Sequence, residues 1–313
     1  MNKRYIITIV FSHIMSFLAA GITAVILLGV MSDDNCKIIA APASAAAVYL
    51  LLYLYFTKKY RRRRKIAARD IPGTWHGILE KKVYYYSRLS EAEKTRFLKD
   101  VQIFLGEKRI TGVKTDVDEE IRLLLAASAI IPVFNIPDWE YDRLGEILVY
   151  PENFTKDFST GKNENVLGMV FSNSYSMIIS KPALIKSFAN HKDSFNVGIH
   201  EFIHKLDGED GEIDGIPALL LDQKTIRSFI EVTDNEIQKI IAGRSDINPY
   251  GATSRVEFFA VAAEYYFENP RKMKERHPEL HSLMRKIFRQ NLISLFSDSI
   301  KSMMPRRKRR SRK

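Results

Sequence analysis

Two histidines and a glutamate stand together in Asn196-Val197-Gly198-Ile199-His200-Glu201-Phe202-Ile203-His204-Lys205-Leu206-Asp207. On a helix, residues four apart lie one turn apart on one face. His200 and His204 can therefore offer two imidazole nitrogens to one metal ion. Neutral imidazole suits Zn2+ well. Glu201 lies beside the pair, where a carboxylate can take a proton from a water that the metal activates. The same spacing also fits a core or surface helix that merely carries these residues. A catalytic zinc centre usually has three protein ligands, so a third ligand decides between the two readings.

The best source of one is Tyr250-Gly251-Ala252-Thr253-Ser254-Arg255-Val256-Glu257-Phe258-Phe259-Ala260-Val261-Ala262-Ala263-Glu264-Tyr265-Tyr266-Phe267. It reads as a mostly apolar helix after a Gly/Thr/Ser-rich start. A carboxylate among Phe258, Phe259, Val261 and Ala262 is costly to bury unless it is paired or bound to metal. Glu257 is therefore the expected third ligand. Glu264 is seven residues on and shares its face. It has two readings: a group that holds a histidine N–H, or a solvent-facing charge. His191 is too close to the histidine pair in sequence to fold back easily, and His277 and His281 fall in a charged stretch expected to be exposed.

These residues need a scaffold. Ser90 with Glu93 reads as a capping box, followed by Phe97, Val101, Phe104 and Leu105 at helical spacing. A second helix is predicted from near Asp116 through Ile121, Leu124, Leu125 and Ala129 to Pro132. Glu146–Tyr150 reads as a strand between Gly145 and Pro151, with further strand at Val170-Phe171 and Met177–Ile179 around a Ser-Asn-Ser turn. The segment Met177–Ser180 is expected to offer a sheet edge to an extended peptide. Helices should dominate from Ser194 onward. Helices, a few strands, then helices imply a mostly helical α+β fold. Asn153-Phe154-Thr155 matches a glycosylation acceptor, which has no meaning in a cytoplasmic domain.

Ahead of this lie two uncharged stretches, residues 5–32 and 38–57. A bilayer core of about 30 Å needs roughly 20 apolar residues of helix. The expectation is a transmembrane hairpin over residues 1–57, with spans at about 5–31 and 38–57 and a loop from Asp33 to Lys37. Met31-Ser32-Asp33 is a poor cleavage site for a signal peptide. His13 is expected as a polar residue tolerated between the two helices. Lys3 and Arg4 precede the first span and a dense basic run follows the second. Positive-inside bias then places both ends in the cytoplasm, as a multi-pass protein of the inner membrane.

The 313 residues carry a formal charge of +11, which at first suggests a nucleic-acid partner. Its distribution argues otherwise. Seven basic residues lie within 58–65 and seven more within 306–313, whereas residues 66–304 hold 31 basic and 35 acidic side chains, a net of −4. No aromatic residues interleave with the basic tail. The expected organisation is the hairpin, a basic juxtamembrane linker at 58–72, a soluble domain at 73–304 and a basic tail at 305–313 that lies on anionic lipid. A single cysteine, Cys36, excludes an intramolecular disulfide framework.

His-Glu-Phe-Ile-His-Lys-Leu-Asp at 200–207 resembles the signature of the Mlc titration factor A (MtfA) family of zinc-dependent peptidases. So do Asp214-Gly215-Ile216-Pro217, Glu-Phe-Phe-Ala-Val-x-x-Glu-Tyr at 257–265, and Leu148-Val149-Tyr150-Pro151. The likeness covers roughly residues 73–300 and leaves out the hairpin and the tail. The chain is similar, more distantly, to the catalytic domain of anthrax lethal factor. The resemblance implies a zincin-like metallopeptidase domain with His200, His204 and Glu257 as zinc ligands and Glu201 as general base. It also implies that Tyr250, seven residues before Glu257, stands near the metal and donates a hydrogen bond to an oxyanion; the other reading is an ordinary loop tyrosine. No acidic residue stands four after Glu257, because Val261 is there. The expected function is a membrane-anchored zinc metallopeptidase acting on a peptide or protein. The alternative is a regulatory protein that holds a cytoplasmic partner, such as a transcriptional regulator, at the membrane.

Overall fold

The computed structural model describes residues 3–30, 34–152, 168–170 and 175–303. They form two compact units, Met1–Asp70 and Ile71–Lys313.

The first unit holds α1 (Lys3–Val30), α2 (Asp34–Phe56) and α3 (Lys58–Ala67). Within α1 and α2, Ile6–Val30 and Ile38–Phe56 are long and apolar enough to cross a membrane. Both expose large apolar side chains, among them Phe17, Leu18, Val25, Leu51 and Tyr55, which a soluble core helix would hide. The two helices run antiparallel, with Phe11 edge-on to Phe56 and Phe17 against Tyr49. His13 sits between them: its Nδ1 is 2.5 Å from Tyr49 Oη and its ring stacks on Tyr53. One boundary differs from expectation: residues 34–37, expected in the loop, are the first turn of α2. The basic run expected as a juxtamembrane linker holds the helix α3. Lys and Arg have straight side chains that lose little freedom in a helix, so charge density does not break one. The basic tail and the Asn153 acceptor lie outside the described residues.

The second unit is mostly helical around a small sheet. It begins with α4 (Gly73–Lys82), α5 (Tyr84–Ser87), α6 (Glu91–Glu107), β1 (Arg109–Gly112) and α7 (Glu119–Val133). β2 (Glu146–Tyr150), β3 (Gly168–Val170), β4 (Ser176–Ser180) and α8 (Lys181–Ala189) follow. It closes with α9 (Val197–Asp207), α10 (Gln223–Ile241), α11 (Arg255–Glu268), α12 (Pro270–Arg276), α13 (Pro278–Phe288) and α14 (Leu292–Met303). The α6 capping box forms as read, with Ser90 N–H donating to Glu93 at 2.9 Å. α7 starts at Glu119 because Asp118 caps it, accepting the Ile121 N–H at 2.9 Å.

The sheet order is β1-β2-β4-β3. β1, β2 and β4 are parallel, and β3 runs antiparallel to β4. This overturns the expectation that Met177–Ser180 forms an edge. β4 is paired on both sides, and β3 takes the edge. Met177, Ile178 and Ile179 are all buried, as a strand inside a covered sheet requires.

α7 is buried from Leu123 to Val133 and forms the central post. α9 packs between α7 and α11 and lies against β3 and β4. Its crossing with α7 needs a glycine. A Cβ on Gly198 would fall 2.1 Å from Ser128 Oγ, so only a bare Cα allows α9 to come this close.

Candidate metal centre

The histidine-bearing helix forms for local reasons. Asn196 caps it, accepting the Ile199 N–H at 3.0 Å. Ile199, Phe202, Ile203 and Leu206 are buried, and Phe202 packs edge-on to Phe104 and Tyr141. α11 is capped by Ser254, whose hydroxyl accepts the Glu257 N–H at 3.1 Å. That bond fixes the turn carrying Glu257. Phe259, packed against Phe229 and Phe288, anchors the next turn in the core.

These two helices bring the predicted residues together. His200 Nε2 lies 3.0 Å from Glu257 Oε2, and His204 Nε2 lies 3.4 Å from the same oxygen. One ligand atom from each of the three lies within 4.8 Å of the others. Among the described residues, no other trio of His, Cys, Asp or Glu meets that condition. Glu264 is 2% exposed, so its solvent-facing reading fails. Its Oε1 is 2.8 Å from His200 Nδ1, and its Oε2 accepts the Asn196 N–H. Glu201 is 4% exposed. Its Oε2 and His204 Nδ1 are buried without a hydrogen-bond partner among the described residues. Tyr250 lies in a 3-10 turn, Pro249–Ala252, is 52% exposed, and has its ring centroid 6.1 Å from that of His200.

The electrostatics follow the geometry. Burial alone would raise the Glu257 carboxyl, but hydrogen bonds and charge from His200 and His204 hold it well below the usual range. Burial would lower His200, yet its bonds to Glu257 and Glu264 push it well up. Positive charge is thus favoured at the convergence point, which is what a divalent cation supplies. Burial pushes Glu201 up to about 8. Burial and the Glu257 carboxylate push the Tyr250 hydroxyl up to about 12. Two imidazoles and one carboxylate form a donor set that fits a catalytic zinc ion, with Glu264 orienting one imidazole.

The other histidines lie elsewhere. His191 stacks on Tyr84. His277 and His281, expected to be exposed, are both buried. His277 lies between Glu236 and Asp246, and His281 lies against Tyr266. Their spacing with Met284 and Phe288 carries the buried face of α13 back across its start, and that periodicity was the available signal.

The chain is similar to known proteins. An uncharacterised protein of Synechocystis sp. is 29% identical over 234 residues, covering 70% of this chain and 85% of its own length. Mlc titration factor A of Pectobacterium atrosepticum is 27% identical over 223 residues, covering 65% of this chain and 81% of its own. The protein of that name from Escherichia fergusonii is 28% identical over 220 residues, with the same coverage. The glucose-regulated metallo-peptidase M90 family matches residues 57–289, which include both helices of the His200, His204 and Glu257 cluster. With most of its length matched, the chain belongs to the M90 metallopeptidase family.

Proposed function

We propose that this protein is a zinc metallopeptidase anchored in the inner membrane, with its catalytic domain in the cytoplasm. The observation behind it is the convergence of His200, His204 and Glu257 beside a buried Glu201. When bound, zinc would polarise a peptide carbonyl and make the attacking water more acidic. The chain's own residues do the rest. Glu201 takes the water's proton and passes it to the leaving amine. It must be ionised to begin; burial opposes that, and the Lys205 charge favours it. Tyr250 keeps its proton across the working pH range and donates it in a hydrogen bond to the developing oxyanion. Glu264 holds His200 through Nδ1, so that Nε2 serves as the donor. β3, the edge strand against α9, gives an extended peptide backbone to pair with.

The anchor rests on the two apolar helices and the basic helix after them. Basic residues at 306–313 add contact with anionic lipid. A Glu201→Gln protein is expected to keep its zinc while peptide hydrolysis falls about 100- to 10,000-fold. Unchanged turnover would remove Glu201 from the mechanism.

A second reading has one observation in its favour, the name Mlc titration factor A carried by several relatives. In it, the domain captures a cytoplasmic regulator and holds it at the membrane. Capture that survives both zinc removal and Glu201→Gln supports binding over hydrolysis.

A further inference from the structure

Asp207 ends the histidine-bearing helix, three residues past His204. None of the chemistry above uses it. The residue is 2% exposed. Oδ2 accepts the Gly215 N–H at 2.8 Å, and Oδ1 has no hydrogen-bond partner among the described residues. Burial pushes the group up to about 7, against the lowering effect of the Gly215 and Asp214 backbone N–H groups. A buried acid in such a place is costly and unneeded for ending a helix.

What it holds explains the placement. Gly215 has φ +80°, and a Cβ there would fall 2.4 Å from the Arg255 carbonyl oxygen and 2.7 Å from Val256 N. Gly215 therefore lies flat on the first peptide of α11, two residues before Glu257. On another side, the Arg255 guanidinium forks onto Asp234 of α10 with two contacts of 2.7 Å. The opposite end of the helix pair is tied as well. Glu264 accepts the Asn196 N–H, and Glu268 accepts the Phe195 N–H at 3.1 Å. α9 and α11 are thus clamped at both ends, and at the Glu257 end the clamp runs through Asp207 and the Gly215 amide.

We propose that Asp207 is a positioning residue that, through the Gly215 peptide, sets the reach of Glu257 toward His200 and His204. This rests on the reading of Glu257 as a metal ligand. A brace of purely structural value would affect unfolding and leave metal affinity alone.

The test uses the full chain in detergent micelles. Zinc affinity is measured by competition with a chromophoric chelator, and thermal unfolding is followed on metal-stripped protein. Asp207→Ala and Gly215→Ala should each weaken zinc binding about tenfold or more. The double variant should lose no more than the weaker single variant, because both act along one route. Asp207→Asn keeps an acceptor for the Gly215 amide and should stay within about threefold of the parent. Glu257→Ala sets the scale for a lost ligand. If both single variants unfold earlier yet bind zinc like the parent, while Glu257→Ala does not, the proposal falls and the site reading stands. Losses that multiply in the double variant also overturn it. If Glu257→Ala itself binds zinc like the parent, the site reading falls and takes the proposal with it. Should Asp207→Ala fail to fold, Asp207→Ser, whose hydroxyl is one bond too short for the Gly215 amide, decides: tenfold weaker binding supports the proposal, and parental affinity overturns it.

Discussion

His200, half-buried, and His277, buried, each lie between two carboxylates, one against each ring nitrogen. Glu264 and Glu257 flank His200 at 2.8 and 3.0 Å. Glu236 and Asp246 flank His277, each at 2.8 Å. The difference lies in what surrounds the carboxylates. Lys239 is 2.7 Å from Glu236, and Lys272 is 2.8 Å from Asp246, which also accepts the Tyr265 hydroxyl at 2.9 Å. Among the described residues, no lysine or arginine pairs with Glu257 or Glu264; a second imidazole, His204, approaches instead. At His277 the chain supplies its own cations and the cluster is closed. At His200 it leaves negative charge and imidazole nitrogen facing one point. The same residue types thus make a closed brace in one place and, in the other, the donor set proposed to hold a cation.

Four measurements can break or sharpen that contrast. The largest effect should come from Glu257→Ala, which is expected to weaken zinc binding by more than about 100-fold, read by chelator competition. Glu264→Gln leaves the ligands in place but loosens His200, and should cost about 10- to 100-fold in the same assay. His277→Gln should leave zinc affinity at the parental level while lowering stability by about 1–3 kcal/mol in chemical denaturation. If His277→Gln weakens zinc as much as Glu264→Gln does, the two clusters are not separate in function.

The smallest effect is a pH slope. Burial would lower His277, but its bonds to Glu236 and Asp246 raise it above its ordinary value. A raised histidine stabilises fully below its unfolded pKa of about 6.5, and that contribution is lost as pH climbs through the folded value. Glu236 and Asp246 are both held low, so they stay ionised across this window. The parent's advantage over His277→Gln should therefore shrink as pH rises above about 6.5. An advantage that grows with pH would contradict the charged brace.

What was legible in the sequence follows from distance along the chain. His200, Glu201 and His204 share one helix, so local periodicity exposes them. Glu257 could be singled out as a carboxylate set among Phe258, Phe259 and Val261. The same reasoning left Glu264 undecided, because its partner His200 is 64 residues away. His277 was misjudged from its charged neighbours Lys274, Glu275 and Arg276, while the groups that bury it come from α10 and the residues after it. The general fold, two apolar helices followed in the chain by helices with a small sheet, is readable from composition and period. Strand order was not. β1 and β3 have four and three residues, too few to show an alternation, and their pairing gives β4 its interior position.

The Ser254 cap on Glu257 has a consequence for how the protein meets its metal. The carboxylate occupies the first turn of α11, where the positive end of a helix favours it with or without an ion. His200 is held independently by Glu264, and α9 is seated on α7 through Gly198. Protein contacts thus hold these side chains, whereas small zinc modules rely on their ion to fold. If the proposed ion binds here, loading and stripping are expected to be reversible events on a folded protein. On the proposed zinc-peptidase reading, activity would then follow metal supply at the speed of binding, with no new synthesis.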